Sequence, residues 1–242
     1  MKVLVLSDTH SQMRNVWRSW SDEDKRSSLE CDLIIHAGDL TLRGSKDEVE
    51  SELKSLNDIF HQEKVIISGN HDFFLDTDWR SYTSIGKKRH GNNKFGKKEE
   101  ISELMDKLNI NYLNDSFIEI KGIKIWGSPI TPWFHDWAFN RERGKDIIAH
   151  WNNIPEGLDI LITHGPPRGI LDLVKYPRIG ESPNVGCGDL LYSVFSKMPK
   201  YHIFGHIHEG RGIMESNGIT FINASCIDES HKPMNRPIMI NI

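Results

Sequence analysis

Short apolar runs alternate with polar or helical stretches along most of the chain. Five runs rich in Val, Ile and Leu predict strands buried on both faces, as in an α/β sheet. They are KVLVLS (2–7), DLIIHA (32–37), KVIIS (64–68), DILIT (159–163) and YHIF (201–204). Two later runs, ITFINAS (219–225) and PIMINI (237–242), predict further strands, and FIEIKGIKIW (117–126) alternates around Lys121 and Gly122 as a β-hairpin does.

Apolar residues recur at helical spacing between these runs. The pattern is clearest in 45–60, where Ser45 and Glu48 have the spacing of a capping box. Weaker helical patterns cover 12–29, 99–108, 140–150 and 188–197. About ten strands are too many for one small parallel sheet, so we expect an α/β fold of two packed sheets flanked by helices. Because no internal repeat or flexible linker interrupts the pattern, we expect a single domain over 1–242.

Composition allows a large core and excludes several classes of protein. The chain has 242 residues, of which 38% are hydrophobic, and no apolar run approaches the ~20 residues that span a bilayer. The first residues also lack the longer apolar run of a signal peptide, so we expect a soluble, cytoplasmic protein with no membrane partner. The three cysteines, Cys31, Cys187 and Cys226, have no CxxC spacing and predict neither a disulfide framework nor a structural zinc site.

The charge balance argues against a nucleic-acid-binding protein. Thirty basic and 34 acidic side chains give a net charge of −4, without the basic excess that phosphate contacts require. The one biased stretch is GKKRHGNNKFGKK (86–98), which we interpret as a solvated basic loop of open role. We therefore expect no stable binding of nucleic acid.

Polar side chains with metal-binding chemistry follow five of the predicted strands. They are Asp8 and His10, then Asp39, then Asn70 and His71, then His164, and finally His206 and His208. Since loops at the carboxyl ends of strands in open α/β sheets converge on one crevice, these clusters should meet in space. Side chains two residues apart in extended chain point the same way, so each DxH or HxH pair can offer two ligand atoms.

The kind and number of these side chains predict a site for two metal ions. Asp, Asn and His without thiolate suit Mn, Fe, Zn or Co rather than a Cys-rich zinc site. Seven candidate ligands exceed what one ion needs, and paired ions ~3.5 to 4 Å apart are common in phosphoryl hydrolysis. The candidates are Asp8, His10, Asp39, Asn70, His164, His206 and His208.

The motif order DTH…GD…GNHD…H…GHIH resembles the calcineurin-like metallophosphoesterase superfamily over nearly the whole chain. A narrower similarity to the phosphodiesterases of the metallophosphoesterase-domain-containing (MPPED-like) branch is carried by five further segments. These are GSP (127–129), Trp133 with DWAFN (136–140), THGPP (163–167), GHIHEG (205–210) and INAS (222–225). The resemblance implies a four-layer α-β-β-α sandwich of two mixed sheets flanked by helices.

The resemblance also implies a role for each motif residue. Asp8, His10, Asp39 and His208 match the ligands of one metal, and Asp39, Asn70, His164 and His206 match those of the second, with Asp39 as the bridge. His71 matches the histidine that assists the leaving group. The implied enzyme is a metal-dependent phosphoric ester hydrolase that attacks phosphorus with a hydroxide shared by two di- or trivalent ions, of which manganese is favoured.

The substrate is the least explicit part of the sequence. The aromatic loop at 129–137 suggests that Trp133, Phe134 or Trp137 stacks on a nucleobase, and Arg168, which follows Pro166 and Pro167, is a candidate for binding phosphate. We therefore expect a phosphodiesterase for a small or nucleotide-like ester. Two alternatives stay open, a non-catalytic member of the fold that binds proteins and a DNA-processing nuclease. The native metal, the preference for mono- or diesters and the oligomeric state are open.

Overall fold

Two β-sheets pack face to face, and helices cover their outer faces. A computed structural model of the protein describes residues 1–78, 95–175, 177 and 182–242. Positions 86–94 of the basic stretch 86–98 lie outside the described residues. In the described part of the chain, no helix is both long and apolar enough to cross a membrane.

The first sheet has five strands. They are β1 (Lys2–Leu6), β2 (Leu33–Ala37), β3 (Glu63–Ile67), β4 (Asn111–Tyr112) and β13 (Ile238–Asn241). Their order is β13-β1-β2-β3-β4, and all neighbours are parallel except β13, which runs antiparallel to β1. The carboxyl ends of β1, β2 and β3 therefore point to the same edge.

The second sheet has six strands and also mixes directions. They are β5 (Ser116–Ile120), β6 (Ile123–Ser128), β9 (Ile160–Thr163), β10 (Tyr201–Phe204), β11 (Gly212–Ser216) and β12 (Ile219–Asn223). Their order is β11-β12-β10-β9-β6-β5, with β6, β9, β10 and β12 parallel. A separate two-stranded ladder joins β7 (Thr131–Pro132) and β8 (Asn140–Arg141).

Alternate residues of the central strands face two different cores. In β1, Val3 and Val5 pack into the core between the sheets, whereas Leu4 and Leu6 face the helices. All four side chains are almost completely buried. This pattern confirms the prediction from the continuous apolar runs that these strands are covered on both faces.

Six helices are described, and their bounds show where the sequence patterns were incomplete. They are α1 (Met13–Ser19), α2 (Asp22–Leu29), α3 (Lys46–Ile59), α4 (Lys98–Leu108), α5 (Lys145–Trp151) and α6 (Gly188–Lys197). The predicted helix over 12–29 is two helices, because the Ser21 hydroxyl accepts a hydrogen bond from the Asp24 amide and starts a second one. The predicted helix over 140–150 begins only at 145, after Gly144 with φ of +82°.

The capping box predicted at the start of α3 forms only in part. The Ser45 hydroxyl accepts from the Glu48 amide, as expected. The Glu48 carboxylate instead accepts hydrogen bonds from the Leu42 and Arg43 amides and from the Ser11 hydroxyl. Glu48 thus fixes the loop after β2 rather than closing the helix end.

Candidate metal centre

The seven ligand candidates lie together where the two sheets meet. Asp8, Asp39 and Asn70 follow β1, β2 and β3 of the first sheet, while His164 and His206 follow β9 and β10 of the second. A parallel β-bridge between Ser7 and Ser225 joins the end of β1 in the first sheet to the end of β12 in the second. The convergence expected from the strand ends is therefore present.

Asp39 stands between two groups of nitrogen ligands. Its Oδ2 atom lies 3.5 Å from Nε2 of His10 and 3.4 Å from Nε2 of His164. On the His164 side of Asp39, the Asn70 amide oxygen is 3.0 Å from the same His164 nitrogen. On the His10 side, Nε2 of His208 is 3.5 Å from Asp8 Oδ1. The Asp39 carboxylate therefore faces an imidazole nitrogen on each of two sides.

Among the described residues, three groups of acidic and histidine side chains could hold a metal ion, because each side chain offers one donor atom and the donor atoms of a group lie within 4.8 Å of one another. The groups are Asp8, His10 and His208; His10, Asp39 and His71; and Asp39, His164 and His206. The first and third groups could each hold a metal ion. Asp39 and His10 each occur in two groups, so the second group connects the first to the third.

The His10 ring supplies a direct test of whether a metal fits. Its side chain is buried, and within the described part of the chain neither ring nitrogen has a hydrogen-bond partner. A buried polar atom without a partner costs about 1–3 kcal/mol, and coordination of a cation would remove that cost. Oxygen and imidazole donors also suit a hard or borderline ion. The residues present therefore fit a metal.

Hydrogen bonds on the far side of the imidazoles direct their Nε2 atoms inwards. His164 Nδ1 donates to the Ala37 carbonyl at 3.0 Å, and His208 Nδ1 donates to the Asp228 carbonyl at 3.1 Å. In the neutral rings such partners fix the tautomer in which Nε2, and not Nδ1, carries the lone pair that a metal would bind. Asp8 is held in a similar way, since its carboxylate accepts from the His206 amide and, at 2.6 Å, from the Ser225 hydroxyl.

Several of these residues occupy a backbone conformation that L-residues rarely adopt. Asp8, His10, Asp39 and His206 have φ of +52°, +40°, +53° and +67°. Left-handed non-glycine residues cost roughly 1–3 kcal/mol and cluster at functional sites. Backbone strain is therefore concentrated at this edge of the sheets, where these conformations set the direction of the donor side chains.

The charges of the group are strongly coupled. Burial alone would lower the pKa of His164, but the Asp39 carboxylate raises it to about 9, and Asp8 does the same for His208. Burial dominates for His10 and His206 and lowers their pKa values to about 3 and about 4. Although burial opposes ionisation, the facing imidazoles hold the pKa values of both carboxylates well below their usual range.

A glycine allows the second sheet to approach Asp8 closely. A Cβ atom added at Gly205 would lie 2.0 Å from Asp8 Oδ2 and 2.1 Å from Ser7 Oγ. No side chain fits between the end of β10 and the carboxylate. Gly205 is thus required where the GHIH segment crosses the end of β1.

His71 is held at the edge of the first group. Its amide donates to Asp39 Oδ1 at 2.8 Å, and its ring Nδ1 donates to the Leu42 carbonyl at 2.8 Å. The ring also stacks on the indole of Trp137, with ring centroids 4.1 Å apart. Nε2 is therefore the nitrogen of His71 that is left to face a substrate.

Asp72 acts on the loops and not on the His71 imidazole. Its buried carboxylate accepts hydrogen bonds from the amides of Leu40, Thr41 and Gly69 and from the Thr41 hydroxyl. Burial, reinforced by the Asp39 charge, raises its pKa to about 6. Asp72 thus joins the loop after β2, which carries Asp39, to the loop after β3, which carries Asn70.

A cavity of about 660 Å³ opens beside His206. Trp133 and Phe134 line it, and the Phe134 ring lies 6.4 Å from the His206 ring. Arg143 also lines the cavity, and its guanidinium group donates hydrogen bonds to the carbonyls of Gly186 and Val185. Arg168 is exposed and is not among the described residues that line the cavity, so its role in phosphate binding stays a prediction.

Sequence reasoning missed some residues of the site. His231 lies with its ring 5.0 Å from the His10 ring and 5.6 Å from the His208 ring, although no motif surrounds it. Trp137 was considered as a platform for a nucleobase, but one of its faces is covered by His71. The aromatic segment DWAFN (136–140) was the available signal for Trp137, whereas a single histidine in the last loop gave none.

Comparison with known proteins identifies the family. The calcineurin-like phosphoesterase family model matches residues 1–210. Metallophosphoesterase domain-containing protein 1 of Homo sapiens is 36% identical over the whole chain and 71% of its own length, and UPF0046 protein K07C11.7 of Caenorhabditis elegans is 32% identical over the whole chain and 75% of its length.

A solved structure is similar in fold. Phosphopantetheinyl hydrolase (PptH) from Mycobacterium tuberculosis superposes with a TM-score of 0.65 at 15% identity, covering 99% of this chain and 95% of that one. At this identity the likeness concerns the fold alone. The family match and the two relatives show that the chain belongs to the calcineurin-like metallophosphoesterases, in the branch of metallophosphoesterase domain-containing protein 1.

Proposed function

We propose that the chain is a binuclear, metal-dependent phosphodiesterase that hydrolyses a small, nucleotide-like ester. The observation that carries the proposal is the position of the Asp39 carboxylate, 3.5 Å from one imidazole nitrogen and 3.4 Å from another that belongs to a different donor group. The first ion would be held by Asp8, His10, Asp39 and His208. The second would be held by Asp39, Asn70, His164 and His206, and manganese is the ion we favour for both.

The protein supplies positioning and proton transfer around these ions. Two bound cations neutralise phosphoryl oxygens and lower the pKa of a shared water, which is the established role of paired metals in phosphoryl hydrolysis. His71 is the proton donor to the leaving oxygen. Its Nδ1 is engaged by the Leu42 carbonyl, so Nε2 delivers the proton.

Metal dependence is the first test. Exhaustively chelated protein, verified by elemental analysis, should be inactive towards bis-nitrophenyl phosphate and nitrophenyl phosphate. Reconstitution with Mn²⁺ should restore activity at two ions per chain, with a higher kcat/KM for the diester. Activity that survives metal removal would contradict the proposal, and preference for the monoester would contradict the phosphodiesterase assignment.

The cavity beside His206 supports the nucleotide-like substrate. Trp133 and Phe134 offer aromatic surface there, and Phe134 is 54% exposed. A base stacked on an aromatic side chain gains roughly 1–3 kcal/mol. A substrate with its phosphorus at the metals could therefore place a base in this cavity.

A nucleoside monophosphate and ribose phosphate separate the base from the phosphate. In the metal-loaded protein, the nucleotide should inhibit competitively and more strongly than ribose phosphate. Trp133→Ala should remove that difference without changing metal content. Phe117→Ala is the matched control, because Phe117 is an exposed aromatic residue on the edge strand β5, outside this cavity. Equal inhibition by both compounds in the parent protein would leave the substrate without a recognised base.

A further inference from the structure

His231 lies on the solvent side of the first donor group. Its ring centroid is 5.0 Å from that of His10 and 5.6 Å from that of His208. His71 approaches the same His10 ring at 4.6 Å. Two histidines that are not among the seven ligand candidates therefore contact the buried His10, and the side chain of His231 is exposed.

The backbone holds His231 in a strained conformation. Its φ is +58°, in the left-handed region that costs a non-glycine residue free energy. The Gln12 side-chain amide donates to the His231 carbonyl at 3.0 Å, and the His231 amide donates to the Asp228 carbonyl at 3.0 Å. An exposed loop histidine with only a solubilising role would need neither the strain nor these bonds.

The turn that carries His231 also holds a candidate ligand. The Asp228 carboxylate accepts from the amides of Ser230 and Lys232 at 2.8 and 2.9 Å, which closes the turn on both sides of His231. The Asp228 carbonyl accepts from Nδ1 of His208. The position of His231 relative to His208 is therefore fixed through a single residue, Asp228.

His231 does not belong to the donor groups of the described residues. Asp8, Asp39 and His10 are almost completely buried, so a substrate can reach the first ion only from the exposed side, where His231 lies. We propose that His231 is a substrate-binding residue whose ring N–H donates a hydrogen bond to a non-bridging oxygen of the phosphoryl group. This inference rests on the proposed function, because it requires phosphate to bind at the metals.

Binding of inorganic phosphate tests the inference without turnover. Calorimetric titration of phosphate into the Mn²⁺-reconstituted protein should give a dissociation constant roughly tenfold or more higher for His231→Ala, as expected for loss of a hydrogen bond to a charged group. His231→Gln, which keeps an N–H donor, should recover part of the affinity. Metal content, measured by elemental analysis, and the midpoint of urea unfolding should match the parent.

His61→Ala is the matched control. His61 is also an exposed histidine, but it precedes β3 and so lies at the opposite end of that strand from Asn70 and His71. Its replacement should leave phosphate affinity unchanged. In steady state, His231→Ala should raise KM more than it lowers kcat, for nitrophenyl and alkyl leaving groups alike.

Two results would overturn the assignment of His231. Unchanged phosphate affinity in His231→Ala would remove its role in binding, and loss of a metal ion in that variant would make it part of the ion's support instead. Failure of the proposed function looks different, because the metal-loaded parent itself would then neither bind phosphate nor hydrolyse esters, and the inference would fall with it.

Discussion

The indole of Trp137 lies against the imidazole of His71, with ring centroids 4.1 Å apart and an angle of 29° between the planes. The next residue, Ala138, donates its amide to the Asn70 carbonyl at 3.0 Å. The loop between β7 and β8 therefore contacts both the proposed proton donor, His71, and the candidate ligand Asn70 beside it. From this contact we expect Trp137 to position the His71 ring.

Replacing Trp137 should impair proton transfer selectively. We expect Trp137→Leu to lose part of the roughly 10²- to 10⁴-fold contribution of a proton donor for esters with alkyl leaving groups. Nitrophenyl esters, whose leaving group needs no proton, should be affected little. Trp137→Phe retains an aromatic face and should fall between Leu and the parent, and kcat for the paired esters is the measurement. An equal loss for both esters would mean that Trp137 only supports the fold.

His71→Ala should remove turnover while metal content is largely kept. The expected loss is roughly 10²- to 10⁴-fold for alkyl esters and smaller for nitrophenyl esters, because the histidine acts on the leaving oxygen. Steady-state kinetics on the two ester types and elemental analysis of the same preparation give the answer. If the variant loses metal in proportion to activity, His71 is a ligand and the role proposed for it is wrong.

Asp39→Asn should be the most damaging change among the ligand candidates. The carboxylate lies between His10 and His164, and an amide would lose charge at both proposed ions. Metal content should fall for both ions, whereas His206→Asn should affect mainly one. Elemental analysis after equilibration in limiting Mn²⁺ compares the variants. Identical metal loss in Asp39→Asn and His206→Asn would contradict the proposal that Asp39 contacts both ions.

Metal binding should strengthen as the pH rises from 6.5 to 9. In the metal-free protein, His164 and His208 have pKa values raised to about 9, so protons occupy the nitrogens that metal needs. Calorimetric titrations of Mn²⁺ in buffers of different ionisation enthalpy should show protons released on binding, more at the lower pH. A pH-independent affinity without proton release would exclude these two histidines as ligands.

The same two histidines should make the metal-free protein less stable at high pH. A pKa raised in the folded state above the ordinary 6.5 contributes stability that is fully present below 6.5 and lost as the pH rises through about 9. Urea unfolding of chelated protein should therefore give a lower free energy of unfolding at pH 9.5 than at pH 6.5. His164→Gln should flatten this dependence, and an unchanged slope in that variant would contradict the assignment.

Gly205→Ala should destabilise the protein and disturb Asp8. The added methyl group would lie 2.0 Å from Asp8 Oδ2, and overpacking of this kind typically costs about 1–3 kcal/mol. Gly188→Ala is the control, since a Cβ atom at Gly188, in the first turn of α6, meets nothing within 4 Å. Urea unfolding and metal content are the readouts. If the two variants were equally stable, the end of β10 would have to shift away from Asp8 without cost to make room for the methyl group.

The sequence predicted the strands at the centre of the sheets better than those at their edges. Both-face burial of β1, β2 and β3 follows from continuous Val and Ile runs, and these strands lie within one or two residues of their predicted bounds. Strand β11 was missed because only Ile213 and Met214 in it are apolar, and both are exposed. The edge strands β5 and β13 were predicted from apolar runs of their own, whereas β4 and β11 carry no such run.

The residues of the candidate site also fall into those that the sequence predicted and those that it did not. Ligand positions could be predicted because each follows a recognisable strand, so topology alone brings Asp39 near His164. The supporting contacts depend on side-chain packing between segments far apart in the sequence, such as Ser225 with Asp8 or Gln12 with His231. No local pattern encodes such pairs.

The first and third donor groups each draw side chains from both sheets. Asp8 and His10 come from the first sheet and His208 from the second, and Asp39 meets His164 and His206 in the same way. Bound ions would therefore act as cross-links between the two halves of the sandwich, and their separation would depend on how closely the sheets pack. The apolar layer formed by Val5, Ile203 and their neighbours lies between the sheets. A methyl group removed deep in that layer would therefore change the geometry of the donor groups without touching a ligand candidate.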